Sequence, residues 1–385
     1  MTARKPWALY AITTHGIAIA TKLLAALPDA DLYVSEKLFG KVPPEVRAIA
    51  KSMPLPMGPT LTATFTEYDC HVHVISVGAV VRMVAPLLQN KKVDPAIVCV
   101  DDAARFAICV LSGHVGRGNA FCDRVASILA ATSVVTTASD VRGTLTVDIL
   151  GRELGWTLDD LDRNVTRGCA AVVNAAPVLF VQETGEPAFW PLDRALPEGV
   201  QYATSLAGVD PAQYEVLLIA TDRELRESAR TQWENAVVYR PKSLVLGIGC
   251  DKLTPPELVE RGVRQLLARH ELALASVRAI ATIDVKKDEP ALQMLTQKLN
   301  IPLVTYTAAE LDAMPMATPS DVVLKHVGTR GVAEPAAQLA AGALVASATG
   351  AAELIVPKQI YTEEGAGRSM TFAVARIPFA KRVIA

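Results

Sequence analysis

The sequence predicts an α/β protein: three-layer α/β domains at the amino and carboxyl ends, each with a mainly parallel sheet, joined by a small middle α/β domain. Three observations carry this reading. The 385 residues exceed what one ordinary core encloses, so two or three domains are expected. Hydrophobic residues make up 51% and charged residues 20%, which suits filled cores rather than a disordered chain. At both ends, short apolar runs alternate with stretches whose apolar residues recur at helical spacing, the pattern of parallel sheets covered by helices. The expected boundaries are 1–150, 151–240 and 241–385.

In the amino-terminal domain, WALYAIT reads as a strand and IAIATKLLAAL as a helix that packs Ile17, Ile19, Leu23, Leu24 and Leu27 on the sheet. ADLYVS is the next strand. Pro54, Pro56 and Pro59 then make the chain extended and irregular. CHVHVISVG, AIVCVD and RFAICVL are strands, with AVVRMVAPLLQ a helix between the first two. After the glycine-rich VLSGHVGRGNAF comes a helix with Phe121, Val125, Ile128 and Leu129 on one face. SVVTTAS returns as a strand, which places Asp140 just beyond a carboxyl edge, where ligands collect in parallel sheets. On this reading Asp101, Asp102, Asp140 and His114 crowd at one edge.

The pattern weakens after 151, where PVLFVQETGEPAFWPL suggests strands around a turn and YEVLLIATD is a clear strand. The carboxyl-terminal domain begins with strand LVLGIG and a helix for which Thr254 is the expected cap, Pro255 the first residue and Glu257 the capping-box partner. AIATID and PLVTYT each lead into a helix, and Thr307 with Glu310 repeats the capping-box spacing. LIVPKQI and TFAVARI read as a hairpin around YTEEGAGRSM. The uncharged run Pro335 to Ala352 is mostly small residues, a packed helix and its turn rather than a bilayer span.

Net charge is −2, from 38 basic and 40 acidic residues without a basic stripe, so the expected partner is a small molecule, not nucleic acid or membrane. MTARKPWALYAITTHG has only a brief apolar stretch, so no secretory signal is expected and the location is read as cytoplasmic. Six cysteines without a CxxC pair argue against a disulfide framework or zinc site and for buried thiols.

The chemistry concentrates at residues 110–121. Glycines at a strand-to-helix turn let backbone N–H groups approach an anion or a developing oxyanion. Gly113, Gly116 and Gly118 give G-x-x-G-x-G with no following Lys-Ser or Lys-Thr, which disfavours a nucleotide. His114 supplies an acid/base near neutral pH, its alternative being a structural hydrogen-bonder. Asn119 either binds ligand or caps the helix. With Ser112 and Arg117 these residues form the candidate binding loop. Arg82, Lys91 and Lys92 are candidate cations for ligand carboxylates, and Lys286, Glu289, Glu334 and Lys358 either line a polar cleft or cap and solvate element ends. His71 and His73 share a strand face without a third ligand, so no protein metal site is expected. Cys250 at a helix start is read as an inert buried thiol rather than an activated one.

Two stretches carry a resemblance. VGAVVRMVAPLLQNKKVDPAIVCVDDAARFAICVLSGHVGRGNAF followed by VVTTASD closely resembles the amino-terminal region of the CbiG family, the cobalt-precorrin-5A hydrolases of cobalamin biosynthesis. LGIGCDK, TIDVKKDEPAL, GVAEPAA and LIVPKQIYTEEGAGRSMTFAVARI resemble that family's last domain, which is similar to CobE. The resemblance implies hydrolysis of the lactone that ties the ring A acetate to C20 of a cobalt-containing contracted tetrapyrrole. Acetaldehyde leaves and cobalt-precorrin-5B remains. It also implies that the cobalt belongs to the substrate, that no further cofactor is needed, and that neighbouring pathway enzymes are partners. In that chemistry His114 is the candidate base, and the N–H groups of the Gly116–Asn119 turn are oxyanion candidates. Asp101 or Asp140 orients the imidazole or takes the second proton. The family reads Ser-Gly-His-x-Gly-Gly-Ala-Asn, whereas Arg117 and Gly118 stand here at the second glycine and the alanine. If that glycine needs a positive φ, Arg117 strains the turn unless Gly118 supplies the freedom one position later. TTASD stands for Thr-Thr-Ala-Thr-Asp, a change that keeps the hydroxyl. The rival reading is a corrinoid-binding or intermediate-transfer protein that has lost hydrolysis.

Overall fold

The computed structural model describes residues 4–90, 93–160, 163–224, 233–316, 318–344, 352–365 and 367–382, with the side chains of 140 and 141 also outside the description. The chain forms two compact units, residues 1–149 and 150–385.

The first unit is built on one seven-stranded sheet. Its strands are β1 (Lys5–Ala11), β2 (Ala30–Ser35), β3 (Lys51–Met53), β4 (Tyr68–Val74), β5 (Ala96–Val100), β6 (Phe106–Leu111) and β7 (Thr132–Val134), in the order β3-β2-β1-β4-β5-β6-β7. Helices Thr14–Ala26 and Gly118–Leu129 cover one face, burying Leu23, Val125 and Leu129 against Leu9, Val72 and Val98. The other face buries Tyr10, Tyr33 and Ile97 beneath Leu61, Val80 and Val84. Both faces are covered, so the central strands β1 and β5 are largely apolar rather than alternating, and β4 buries His71 and His73 among its apolar residues.

All neighbours in this sheet are parallel except β5 and β6, which are antiparallel. The cause is the short link between them. Five residues, 101–105, cannot make the crossover that a parallel pair needs, which takes a dozen or more. Asp101 closes the turn instead, its carboxylate accepting from Phe106 N–H at 2.6 Å and Ala103 N–H at 3.3 Å. This overturns the expectation that Asp101 and His114 share an edge. Leu111, which leads into the glycine loop, pairs with Ile97 at the start of β5, while Asp101 follows its end. About 3.3 Å per residue separates the two by roughly the length of the strand.

The second unit holds two five-stranded sheets. The first comprises β8 (Thr157–Leu158), β9 (Val178–Gln182), β10 (Val200–Ala203), β11 (Val216–Ala220) and β12 (Ala236–Arg240), ordered β10-β9-β11-β12-β8 with only β8 antiparallel. The second comprises β13 (Leu244–Cys250), β14 (Val277–Ile283), β15 (Leu303–Tyr306), β16 (Glu353–Thr362) and β17 (Ser369–Arg376), ordered β15-β14-β13-β17-β16. β13, β14 and β15 are parallel, and β16 and β17 form the expected hairpin. Helix Ala333–Ala343 lies directly on β13, because a Cβ on Gly247 would sit 1.7 Å from Ala333 O.

Buried charge joins the two sheets of this unit. Asp222 accepts from Arg376 at 2.8 and 3.0 Å and from Ser243 at 2.8 Å. Arg240, 1% exposed, reaches Asp159 at 3.0 Å, Glu224 at 3.3 Å and Arg223 O at 2.6 Å. The Thr307–Glu310 capping box is present. The one expected at Thr254 is not: the helix spans Pro256–Arg269, and the Thr254 hydroxyl donates to Asp251 O at 2.8 Å instead. Pro255 takes the cap position and Pro256 the first helical one, so Thr254 falls one residue outside the helix and out of cap geometry. Among the described residues no helix is long and apolar enough to cross a membrane.

Candidate active site

β6 and β7 run parallel, so the segments that follow them leave at one edge, beside the start of β5. Ser112 Oγ donates to Asp94 O at 3.1 Å, fastening the loop to the segment before β5. The loop then closes on itself. Arg117 N–H donates to His114 O at 2.9 Å, Gly118 N–H to Ser112 O at 2.8 Å and Asn119 N–H to Gly113 O at 3.0 Å. So tight a turn excludes side chains. A Cβ on Gly116 would lie 2.4 Å from Ser112 Cβ, and one on Gly118 2.6 Å from Leu111 O.

These bonds correct two expectations. Three of the four N–H groups from Gly116 to Asn119 are spent on the loop itself, and that of Gly116 is the remaining donor. The freedom of a glycine is also not passed to Gly118. Arg117 itself adopts φ +62°, and Ser112 φ +59°, while Gly118 is needed for space. A non-glycine residue in this region costs about 1–2 kcal/mol, which the loop's bonds offset.

The imidazole of His114 stands between two side chains that come from the segment after β7. Its Nε2 is 3.0 Å from Ser139 Oγ, and its Nδ1 is 3.5 Å from Asp148 Oδ1. Ser139 is buried, and the His114 and Asp148 side chains are only 18% and 15% exposed. Among the described residues Asp148 Oδ1 has no hydrogen-bond donor of its own, so the facing Nδ1–H is the group that can satisfy it. With the proton on Nδ1, Nε2 is left to accept from the serine hydroxyl. Asn119 Nδ2 donates to Thr137 Oγ1 at 2.7 Å, which ties the loop's helix to the same segment. The side-chain order is carboxylate, imidazole, hydroxyl.

The other expected residues scatter. Asp101 serves its turn at the opposite edge. There Asp102 accepts from Thr13 Oγ1 at 2.6 Å and faces His15 Nδ1 at 3.0 Å, contacts that hold its carboxyl below the usual range. Asp140 lies in helix Ala138–Arg142, but its side chain is outside the described residues, as are Lys91 and Lys92. Arg82 donates to Gly78 O one turn back along its own helix at 2.8 Å. In the second unit Lys286 lines a cavity and pairs with Glu289 at 2.9 Å. Glu334 is buried and accepts from Lys358 N–H at 2.9 Å and Thr318 N–H at 3.1 Å, so it braces the cavity's frame rather than its wall. Burial pushes the Cys250 thiol up to about 11, the direction of an unreactive thiol. His71 and His73 are enclosed by Tyr10, Phe65 and Tyr68, and among the described residues no three His, Cys, Asp or Glu groups gather as a metal site.

Family models cover this architecture in order: the cobalamin synthesis G N-terminal region matches 59–140, the cobalamin biosynthesis central region 145–241 and the cobalamin synthesis G C-terminus 244–375. The cobalt-precorrin-5A hydrolase of Priestia megaterium is 38% identical over 343 residues, 89% of this chain and 91% of the relative. The chain belongs to the cobalamin synthesis G (CbiG) family. A second CbiG relative, the cobalt-precorrin-5A hydrolase of Salmonella typhimurium, is 30% identical over 340 residues, 86% of this chain and 91% of the relative. Protein CobE of a Sinorhizobium species is 39% identical over 101 residues, 26% of this chain and 66% of CobE. Within this CbiG chain the His114 loop lies in the matched N-terminal region, and Asp148 in the matched central region.

Proposed function

We propose that this chain is a cobalt-precorrin-5A hydrolase that opens the lactone with Ser139 as nucleophile, His114 as base and Asp148 as the group that orients the imidazole. The observation that carries it is the hydroxyl–imidazole–carboxylate row, with nucleophile and base at 3.0 Å and a third group behind the base. The relatives supply the substrate. Cobalt enters as part of that substrate, and the steps below call on no other cofactor.

Ser139 Oγ attacks the lactone acyl carbon as His114 Nε2 takes its proton, and the oxyanion meets the Gly116 N–H at the positive end of helix Gly118–Leu129. Collapse expels the C20 alkoxide and leaves the ring A acetate as an ester on Ser139. The alkoxide becomes a carbonyl as the bond from C20 to the macrocycle breaks; the electron pair goes to the ring, which is protonated by the His114 imidazolium, and acetaldehyde leaves. Water, deprotonated by His114, then hydrolyses the ester, and the proton returns to Ser139. One water is consumed in all. Arg117, exposed at the turn, contacts a substrate carboxylate.

The test is anaerobic incubation with cobalt-precorrin-5A, trapping acetaldehyde as its hydrazone. His114→Ala and Ser139→Ala each lose about 10³-fold or more in rate, whereas Ser139→Thr keeps the hydroxyl and most of the activity. Acetaldehyde at the parent rate from Ser139→Ala would make water the nucleophile. None from the parent, with corrinoid bound, would favour the transfer protein.

A further inference from the structure

The cavity in the second unit lies where the parallel strands β13 and β14 end, the position at which α/β sheets take ligands. Its volume is about 950 Å³, at the upper end for a small-molecule site. Three large apolar side chains on its rim stand in water: Leu253 is 66% exposed, Val285 69% and Val322 66%. Isolated exposed apolar residues are ordinary, but three around one opening are not.

Cations accompany them. Lys252, Lys286 and Lys358 all line the cavity. Two of the three carboxylates that line it are spent on the frame, and the third, Asp288, is exposed to water: Asp251 accepts from Ser369 N–H at 2.7 Å and Ser369 Oγ at 3.1 Å, and Glu289 takes Leu253 N–H at 2.8 Å together with Lys286. Lys252 makes no ion pair among the described residues. Lys286 and Lys358 each give one hydrogen bond, to Glu289 and Thr318 O, and each ammonium keeps donors to spare. Leu253 is held at φ +59°, a strained backbone that Glu289 fastens and that keeps its side chain on the rim.

We infer that this cavity binds a broad tetrapyrrole, its flat face on Leu253, Val285 and Val322 and its peripheral carboxylates on Lys252, Lys286 and Lys358. The inference rests on the substrate class proposed above, and it assigns the second unit a binding task that the chemistry at His114 does not require. A ligand with an apolar face and an anionic rim is complementary to both features at once; a nucleotide or a sugar would leave the exposed valines and leucine wet.

The experiment titrates the full chain with cobyrinic acid, a cobalt corrinoid rich in carboxylates, and with cobinamide, in which most of these are amides, followed by absorbance and calorimetry. One cobyrinic acid binds per chain. Lys252→Glu and Val285→Asp, both at exposed positions, each raise Kd by about tenfold or more. Cobinamide binds at least about tenfold more weakly than cobyrinic acid, and rising salt narrows that gap. Equal binding of the two corrinoids, or affinity untouched by both variants, overturns the assignment. If acetaldehyde is released from cobalt-precorrin-5A while cobyrinic acid fails to bind, the cavity proposal falls and the hydrolase stands. If binding depends on Lys252 and Val285 while no acetaldehyde forms, the hydrolase falls and the cavity stands.

Discussion

His73 offers the sharpest test of the physical reasoning behind the first unit. Its side chain is fully buried in β4, its ring stacks on Tyr10 at 4.7 Å, and neither ring nitrogen has a hydrogen-bond partner among the described residues. Burial pushes its pKa down to about 3, and that of neighbouring His71 to about 4. An imidazole in the unfolded chain titrates near ~6.5. Between these values the unfolded state holds the extra proton, so the folded state loses stability as pH falls from about 6.5 towards 3, and gains nothing from this group above 6.5. The slope is about 1.4 kcal/mol per pH unit per histidine, so at pH 4.5 His73 alone costs the fold about 2.7 kcal/mol. His73→Phe keeps the stacked ring and removes both nitrogens. It should stabilise the unit by about 1–3 kcal/mol at pH 7.5, the cost of buried polar atoms without partners, and widen its advantage by about 2.7 kcal/mol at pH 4.5. Urea unfolding at the two pH values, read by hydrogen exchange in peptides covering Tyr68–Val74, scores this unit separately from the other. A variant less stable than the parent at pH 7.5, or an advantage that does not grow in acid, would refute the account and point to a task for the imidazole.

Asp148→Asn should cut the rate of acetaldehyde release by about a hundredfold or more, because an amide cannot enforce the tautomer that leaves Nε2 free; unchanged kcat would remove Asp148 from the row. Arg117→Gly should be about 1 kcal/mol more stable than Arg117→Ala in thermal unfolding, since both lose the side chain but only glycine relaxes at φ +62°. The alanine variant matching the glycine one would show that the turn is unstrained. Arg240→Met should cost about 3 kcal/mol, at the low end for a broken buried pair because Asp159 and Glu224 are 32% and 43% exposed and can turn to water. Thermal unfolding that leaves the second unit's transition unmoved would contradict it.

How much of this was legible follows from which forces act locally. The alternation of apolar runs with helical spacing was enough for three α/β sheets, and Thr307 with Glu310 announced a cap that is made within four residues. Thr254 looked the same but fails, because a second proline follows and shifts the start of the helix. Strand direction was not legible. RFAICVL is as apolar as its parallel neighbours, and only the five-residue link betrays the reversal that takes Asp101 away from His114. His114 itself stood out, since few structural needs place a histidine among three glycines. Ser139 lay within a stretch already singled out for its hydroxyl. Asp148 carried no signal: it sits nine residues further on in TLTVDIL, and only the return of the chain after β7 brings it to the imidazole.

The reversal at residues 101–105 also makes the two edges of the sheet mechanically dependent. In a strand the side-chain period is two, so a slip of one residue exchanges the faces along its whole length. The position of His114 is therefore gauged from the far side, by a turn that Asp101 clamps with two hydrogen bonds. A residue added to that turn would leave His114, Ser139 and Asp148 all present in the sequence and aim the loop from the wrong pleat.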